Sequence, residues 1–166
     1  MKHASPKKND MYVDLKGRSH SLAELDSRER SLIGELKLNA ARQDWNGFSN
    51  FWMTRVHEFY SVCGLSRRQI QESLVYRVGQ DLASRLAVSA GLARAPDYRD
   101  ELEEIIRLSF RTRRDFCKAT GLSEDMLSHV LSRRKHLAVD TLAAALDRIG
   151  YALRVVPIQR SKQRAR

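Results

Sequence analysis

Apolar residues recur three and four positions apart along most of the chain, the spacing of amphipathic helices rather than of strands. Leu25, Leu32, Ile33, Leu36 and Ala40 share one face of a helix predicted over about 27–43, which the pair Asp26 and Glu29 opens as a capping box. The same pattern stands just upstream at Ser21-Leu22-Ala23-Glu24. Asp44, Asn46 and Gly47 interrupt it, and a second helix carries Phe48, Phe51, Trp52, Val56 and Phe59 at helical spacing. Such an aromatic stripe is best explained as core. Gly64 ends this helix. Ser66 and Gln69 form another capping box, and Ile70, Leu74, Val78, Leu82 and Leu86 follow in steps of four. They predict one unbroken helix from 67 to about 90, roughly 36 Å long at 1.5 Å per residue. Before all of these, Met11–His20 alternates weakly around Lys16-Gly17 and predicts a short hairpin.

Gly91 and Pro96 bracket a linker, after which the character changes. Asp97, Asp100, Glu101, Glu103 and Glu104 crowd a helix start, where carboxylates suit the helix dipole. Leu102, Ile105, Ile106 and Phe110 supply the apolar face of that helix. Thr112–Leu131 then reads as helix, tight turn, helix. Thr112 caps the first helix, with Asp115 at the capping-box position, and Phe116 and Ala119 face inward. Gly121 takes a left-handed turn position, Leu122 plugs the angle between the helices, and Ser123 caps the second. Leu127, Val130 and Leu131 return to the core, which leaves Glu124, Asp125, Ser128 and His129 outside. A last helix spans about 140–150, and Leu153, Val155 and Val156 read as one short strand. The expected fold is all-α. It comprises a basic tail with a possible hairpin (1–20), a helical region (21–95), a helix-turn-helix domain (97–157) and a second basic tail (158–166).

Composition sharpens this picture in three ways. Eight Gly and three Pro in 166 residues are too few for a many-stranded sandwich. No apolar run approaches the ~20 residues of a membrane span, and the N-terminus has no apolar core of a secretory signal, so a cytoplasmic protein is expected. The net charge is +10 and the pI near 10.1, a balance that favours a polyanionic partner. Fifteen basic and ten acidic residues lie on each side of the Ala95–Pro96 junction, so neither half owns the excess.

Catalytic chemistry does not emerge. Cys63 and Cys117 show no zinc or CxxC spacing, and the five histidines (3, 20, 57, 129, 136) lie at no metal-ligand spacing. There is no Gly-rich phosphate loop and no Gly-x-Ser-x-Gly. No enzyme activity, cofactor or metal is expected.

The Ala119-Thr120-Gly121-Leu122-Ser123 turn, the Met126/Leu127 and Val130/Leu131 spacing and the Asp140–Gly150 helix together resemble the lambda-repressor-like, or Xre-like, helix-turn-helix family over about residues 99–150. The ending after Gly150 is similar to that of family members that act as antitoxins. The resemblance implies a sequence-specific DNA-binding regulator whose partner is double-stranded DNA. Carried over by position, Arg113 would touch a phosphate, and Ser123 would cap its helix and meet another. Glu124, Asp125, Ser128 and His129 would face base edges, and Arg133, Arg134 and Lys135 would grip the backbone. Phosphate contacts would then supply affinity and base contacts specificity. Four positions depart from the family. Glu124 and Asp125 replace neutral or basic residues, Arg133 stands where Gly is common, and Ala138 replaces a Ser or Thr cap. The acidic start supports an alternative, a protein-interaction module such as an antitoxin or adaptor, with a toxin as possible partner.

Two further expectations concern the first half. Proteins of this class commonly act as dimers on half-sites about 34–36 Å apart, and the long third helix suggests a homodimer formed through residues 45–90, with Leu74, Val78 and Leu82 near the contact. Residues 58–78 also echo 115–135 at an offset of 57, sharing Phe59, Gly64, Leu65, Ser66, Leu74 and Arg77 with Phe116, Gly121, Leu122, Ser123, Leu131 and Arg134. A second helix-turn-helix is one reading of that echo; a long uninterrupted helix is the simpler one.

Overall fold

The computed structural model describes residues 10–155, and the chain divides into two compact units, Met1–Ala95 and Pro96–Arg166. The described residues contain eight helices and one two-stranded hairpin, and most of them are helical. No helix among them is long and apolar enough to cross a membrane.

The first unit opens with β1 (Met11–Val13) paired antiparallel to β2 (Ser19–Ser21), Met11 opposite Ser21. The Asp14 carboxylate shapes the turn by accepting from the Lys16 and Arg18 backbone N–H groups. Four helices follow: α1 (Ser27–Ala40), α2 (Trp45–Ser61), α3 (Arg67–Glu72) and α4 (Leu74–Ser89). Helix α4 packs against both α1 and α2. Their shared core includes Leu32, Ile33, Leu36, Phe48, Trp52, Val56, Tyr60, Ile70, Val75 and Val78. A polar clasp fixes the hairpin to α4. The Tyr12 hydroxyl and the Leu15 N–H donate to the Asp81 carboxylate at 2.5 and 2.6 Å, and Arg85 donates to the Val13 carbonyl at 2.7 Å.

Two expectations for this unit are corrected. The Ser21–Glu24 pattern starts no helix. The Leu22 N–H continues the hairpin by donating to the Asp10 carbonyl, and Ser21 Oγ accepts from the Ala23 N–H. The helix begins at the next box, as expected, where Asp26 accepts from the Glu29 N–H and Glu29 from the Asp26 N–H. The long third helix is two helices. Ser73 is extended (φ −67°, ψ 149°) and its side chain accepts from the Tyr76 N–H, the local bond by which serine competes with helical pairing. The three residues expected near a dimer contact differ in exposure: Leu74 and Leu82 are half-buried and pack against the chain's own core, whereas Val78 is not exposed at all.

In the second unit α5 (Tyr98–Ser109), α6 (Arg113–Thr120), α7 (Glu124–Leu131) and α8 (Val139–Asp147) enclose Leu102, Ile106, Phe116, Leu127, Val130, Leu137, Leu142 and Leu146. Ala119 is exposed rather than inward, because the buried arc of α6 is Phe116, Cys117 and Thr120, with Cys117 drawing it to the opposite side. The buried Thr120 hydroxyl is satisfied by the Phe116 carbonyl at 2.8 Å. The closing strand is not formed over Tyr151–Val155. Val155 is fully exposed, and no strand forms among the described residues of the second unit. Val156, Pro157 and both basic tails (1–9 and 158–166) lie outside the described residues.

Candidate functional site

Helices α6 and α7 are fixed by three local caps and one longer-range contact. The Thr112 hydroxyl accepts from the Asp115 N–H at 3.1 Å and donates to the Asp115 carboxylate at 2.7 Å, which fixes the start of α6. Gly121 ends α6 in the left-handed region, at φ +78°, and its N–H donates to the Cys117 carbonyl. Arg148, just past α8, donates to the Thr120 carbonyl at 3.1 Å and fills the space beside Gly121, where a Cβ would lie 1.9 Å from the guanidinium. Ser123 Oγ accepts from the Met126 N–H at 3.1 Å and fixes the start of α7.

With Leu127 and Val130 buried, α7 turns Glu124, Asp125 and Ser128 to solvent, whereas His129 is half-buried in its last turn. Arg113, Cys117, Glu124, Asp125, Leu127 and Ser128 together line an open cleft of about 240 Å³. Four predicted site residues therefore line one cleft, Arg113, Glu124, Asp125 and Ser128, while Ser123 caps the helix that carries three of them.

The electrostatics of this surface are mixed. Arg114 Nε donates to Glu124 at 2.9 Å, so one of the two carboxylates is already matched by a guanidinium from α6. Asp125 has no ion-pair partner among the described residues. The Cys117 thiol at the floor of the cleft is pushed up by burial, with a smaller contribution from Glu124, and so stays protonated. A protonated, buried thiol is a packing group, not a nucleophile. Among the described residues no three His, Cys, Asp or Glu side chains are placed to hold a metal ion.

The basic cluster after α7 divides. Arg134 and Lys135 are exposed and make no side-chain hydrogen bond or ion pair among the described residues. Arg133 is engaged: its guanidinium pairs with Asp97, and with Asp100 at 3.2 Å, at the start of α5. It also adopts φ +64°, a left-handed conformation that glycine takes more readily than arginine. Burial raises the Asp97 carboxyl, but the Arg99 N–H and the Arg133 guanidinium outweigh it and hold the group below the ordinary carboxylate value. Arg99 is itself buried, donates to His136 at 2.7 Å and leaves its Nε without a partner. The Leu137 N–H donates to the Tyr98 hydroxyl at 3.0 Å. These contacts tie the α7–α8 loop to α5 and fix the backbone that carries Arg134 and Lys135.

Sequence reasoning missed Arg99, Arg114 and Arg148. Each acts on a partner brought near by folding, ten or more positions away, and no local pattern marks such a pair. Comparison with protein-family models, curated proteins and solved structures finds no match for this chain.

Proposed function

We propose that this protein is a sequence-specific DNA-binding transcriptional regulator whose second unit works as a helix-turn-helix module. The observation that carries the reading is the outer face of α7, where Asp125 and Ser128 stand exposed on a short helix whose two ends and opposite face are fixed. Polar side chains near the N-terminus of such a helix can reach base edges in a major groove. Arg113 at the start of α6 and the exposed pair Arg134 and Lys135 supply cations for the phosphates on either side. The net charge of +10 supports the same class of partner.

A second reading rests on one specific feature. Glu124 and Asp125 place two carboxylates on the very face that would meet a polyanion, which favours a protein-interaction module such as an antitoxin or adaptor. The Arg114–Glu124 pair reduces that conflict to Asp125, a side chain able to accept from cytosine N4.

Titration of duplex DNA over a salt series separates the two. The changes Arg134→Ala and Lys135→Ala together are expected to weaken binding to every sequence. The slope of log K against log salt is expected to fall by about 0.9 for each phosphate that the protein no longer neutralises. Absence of duplex binding at low salt would leave the interaction module as the better reading.

A further inference from the structure

The turn that positions α7 occurs a second time. In the first unit Gly64 adopts φ +72°, Leu65 packs against the core, and Ser66 caps α3 by accepting from the Gln69 N–H. In the second unit Gly121, Leu122 and Ser123 do the same before α7. The correspondence continues into both helices: the fourth residue after each capping serine, Ile70 or Leu127, is buried. It also extends backwards, because Tyr60 and Cys117, six residues before each serine, are buried too. The sequence echo at an offset of 57 is thus an echo of local structure, and the break at Ser73 is what separates α3 as a short helix of its own.

The outward residues differ in charge. Where α7 presents Glu124, Asp125 and Ser128, the corresponding positions of α3 are Arg67, Arg68 and Gln71, all exposed. Arg68 pairs with Glu72 at 3.0 Å on the solvent side, with both side chains largely open. Arg77, the counterpart of the exposed Arg134, is exposed as well. Guanidinium groups bind phosphate and the guanine edge, and glutamine matches the adenine edge. The chemistry suited to DNA therefore sits on the face whose counterpart in the second unit is acidic.

We infer that the Arg67–Arg68–Gln71 face of α3 is a second DNA-contacting surface, which supplies cationic contacts that α7 does not. The partner is double-stranded DNA, chosen because the face joins phosphate-binding cations to an amide of base-reading type. The inference shares its partner with the reading proposed above, but it concerns a different surface. It also gives one chain more phosphate-binding groups than a single module has, without a homodimer.

The test uses the full chain and a 30-base-pair duplex of random sequence over a salt series. The double change Arg67→Ala and Arg68→Ala is compared with Arg134→Ala and Lys135→Ala. Both tryptophans, Trp45 and Trp52, lie in the first unit, so an unchanged fluorescence melting transition certifies its fold. If alanine disturbs that transition, Arg67→Gln and Arg68→Gln remove the charges with less loss of side chain. Removal of the two arginines is expected to weaken binding and lower the salt slope by about 1.8, or about 0.9 per phosphate. A lowered slope for the α3 variant alone would support this surface and count against the α7 module. An unchanged slope for the α3 variant, with a lowered one for Arg134 and Lys135, would overturn the inference and leave the α7 reading intact. No duplex binding by the unaltered chain would overturn both.

Discussion

Phe116→Ala is expected to unfold the second unit while the first stays folded. Phe116 has no exposed surface, stacks edge-on against Phe110 with ring centroids 5.3 Å apart, and lies among Leu102, Leu127 and Val130 in the core. Truncating a buried Phe to Ala costs about 3–5 kcal/mol, through reduced burial and the cavity left behind. A single core of this size supplies roughly that much stability in total. The two units have separate apolar cores, so the damage should be local. Far-ultraviolet circular dichroism should lose helix in proportion to α5–α8, while the tryptophan fluorescence transition stays in place, because Trp45 and Trp52 both report on the first unit. Duplex binding through α7 should disappear with it. A variant that retained full helix content would show that Phe116 is not the keystone its burial implies.

The corresponding weak point of the first unit is a glycine. Gly79 lies in α4 against the Trp52 ring, and a Cβ there would sit 2.4 Å from Trp52 Cε3. The obstacle is a buried aromatic ring rather than the end of a mobile side chain, so the clash is relieved only by moving α2 or α4. Gly79→Val adds three carbons to that space and is expected to cost about 3 kcal/mol by overpacking. Valine is the better helix former of the two, so a measured loss is steric in origin. Urea unfolding followed by tryptophan emission should show a lower midpoint and a shifted native spectrum. An unchanged midpoint would mean that the α2–α4 contact is looser than this geometry.

Much of the local structure is legible along the chain. Asp26 with Glu29, Ser66 with Gln69, Thr112 and Ser123 all cap helices, because a side-chain oxygen followed three residues later by a suitable partner is a purely local signal. The hairpin around Lys16-Gly17 is local in the same sense. The break at Ser73 is hidden by a periodicity that continues through it. Ile70, Leu74 and Val78 stay in step, while one serine hydroxyl decides the backbone between them. The expected closing strand fails over its described part, Leu153–Val155, for the opposite reason: the residues suit a strand, but the described residues of the second unit form no other strand to pair with.

The surface of the candidate site is legible in the same uneven way. Exposure of Glu124, Asp125 and Ser128 follows from helical spacing once Leu127 and Val130 are placed in the core. The employment of Arg133 does not, because its carboxylates, Asp97 and Asp100, lie 36 and 33 positions earlier. Three adjacent basic residues look alike in sequence; only folding assigns one to an ion pair and leaves two for a partner. The acidic Glu124 is similarly recast by Arg114, ten positions away across the turn.

The central claim is that α7 reads base sequence, and selection of bound sites from a random duplex library tests it most directly. The unaltered chain is expected to enrich a defined motif. The double change Glu124→Gln and Asp125→Asn keeps side-chain shape while removing two negative charges, so it should tighten binding overall and alter the preferred bases at the positions α7 meets. Enrichment of no motif, or of the same motif by both proteins, would contradict the account.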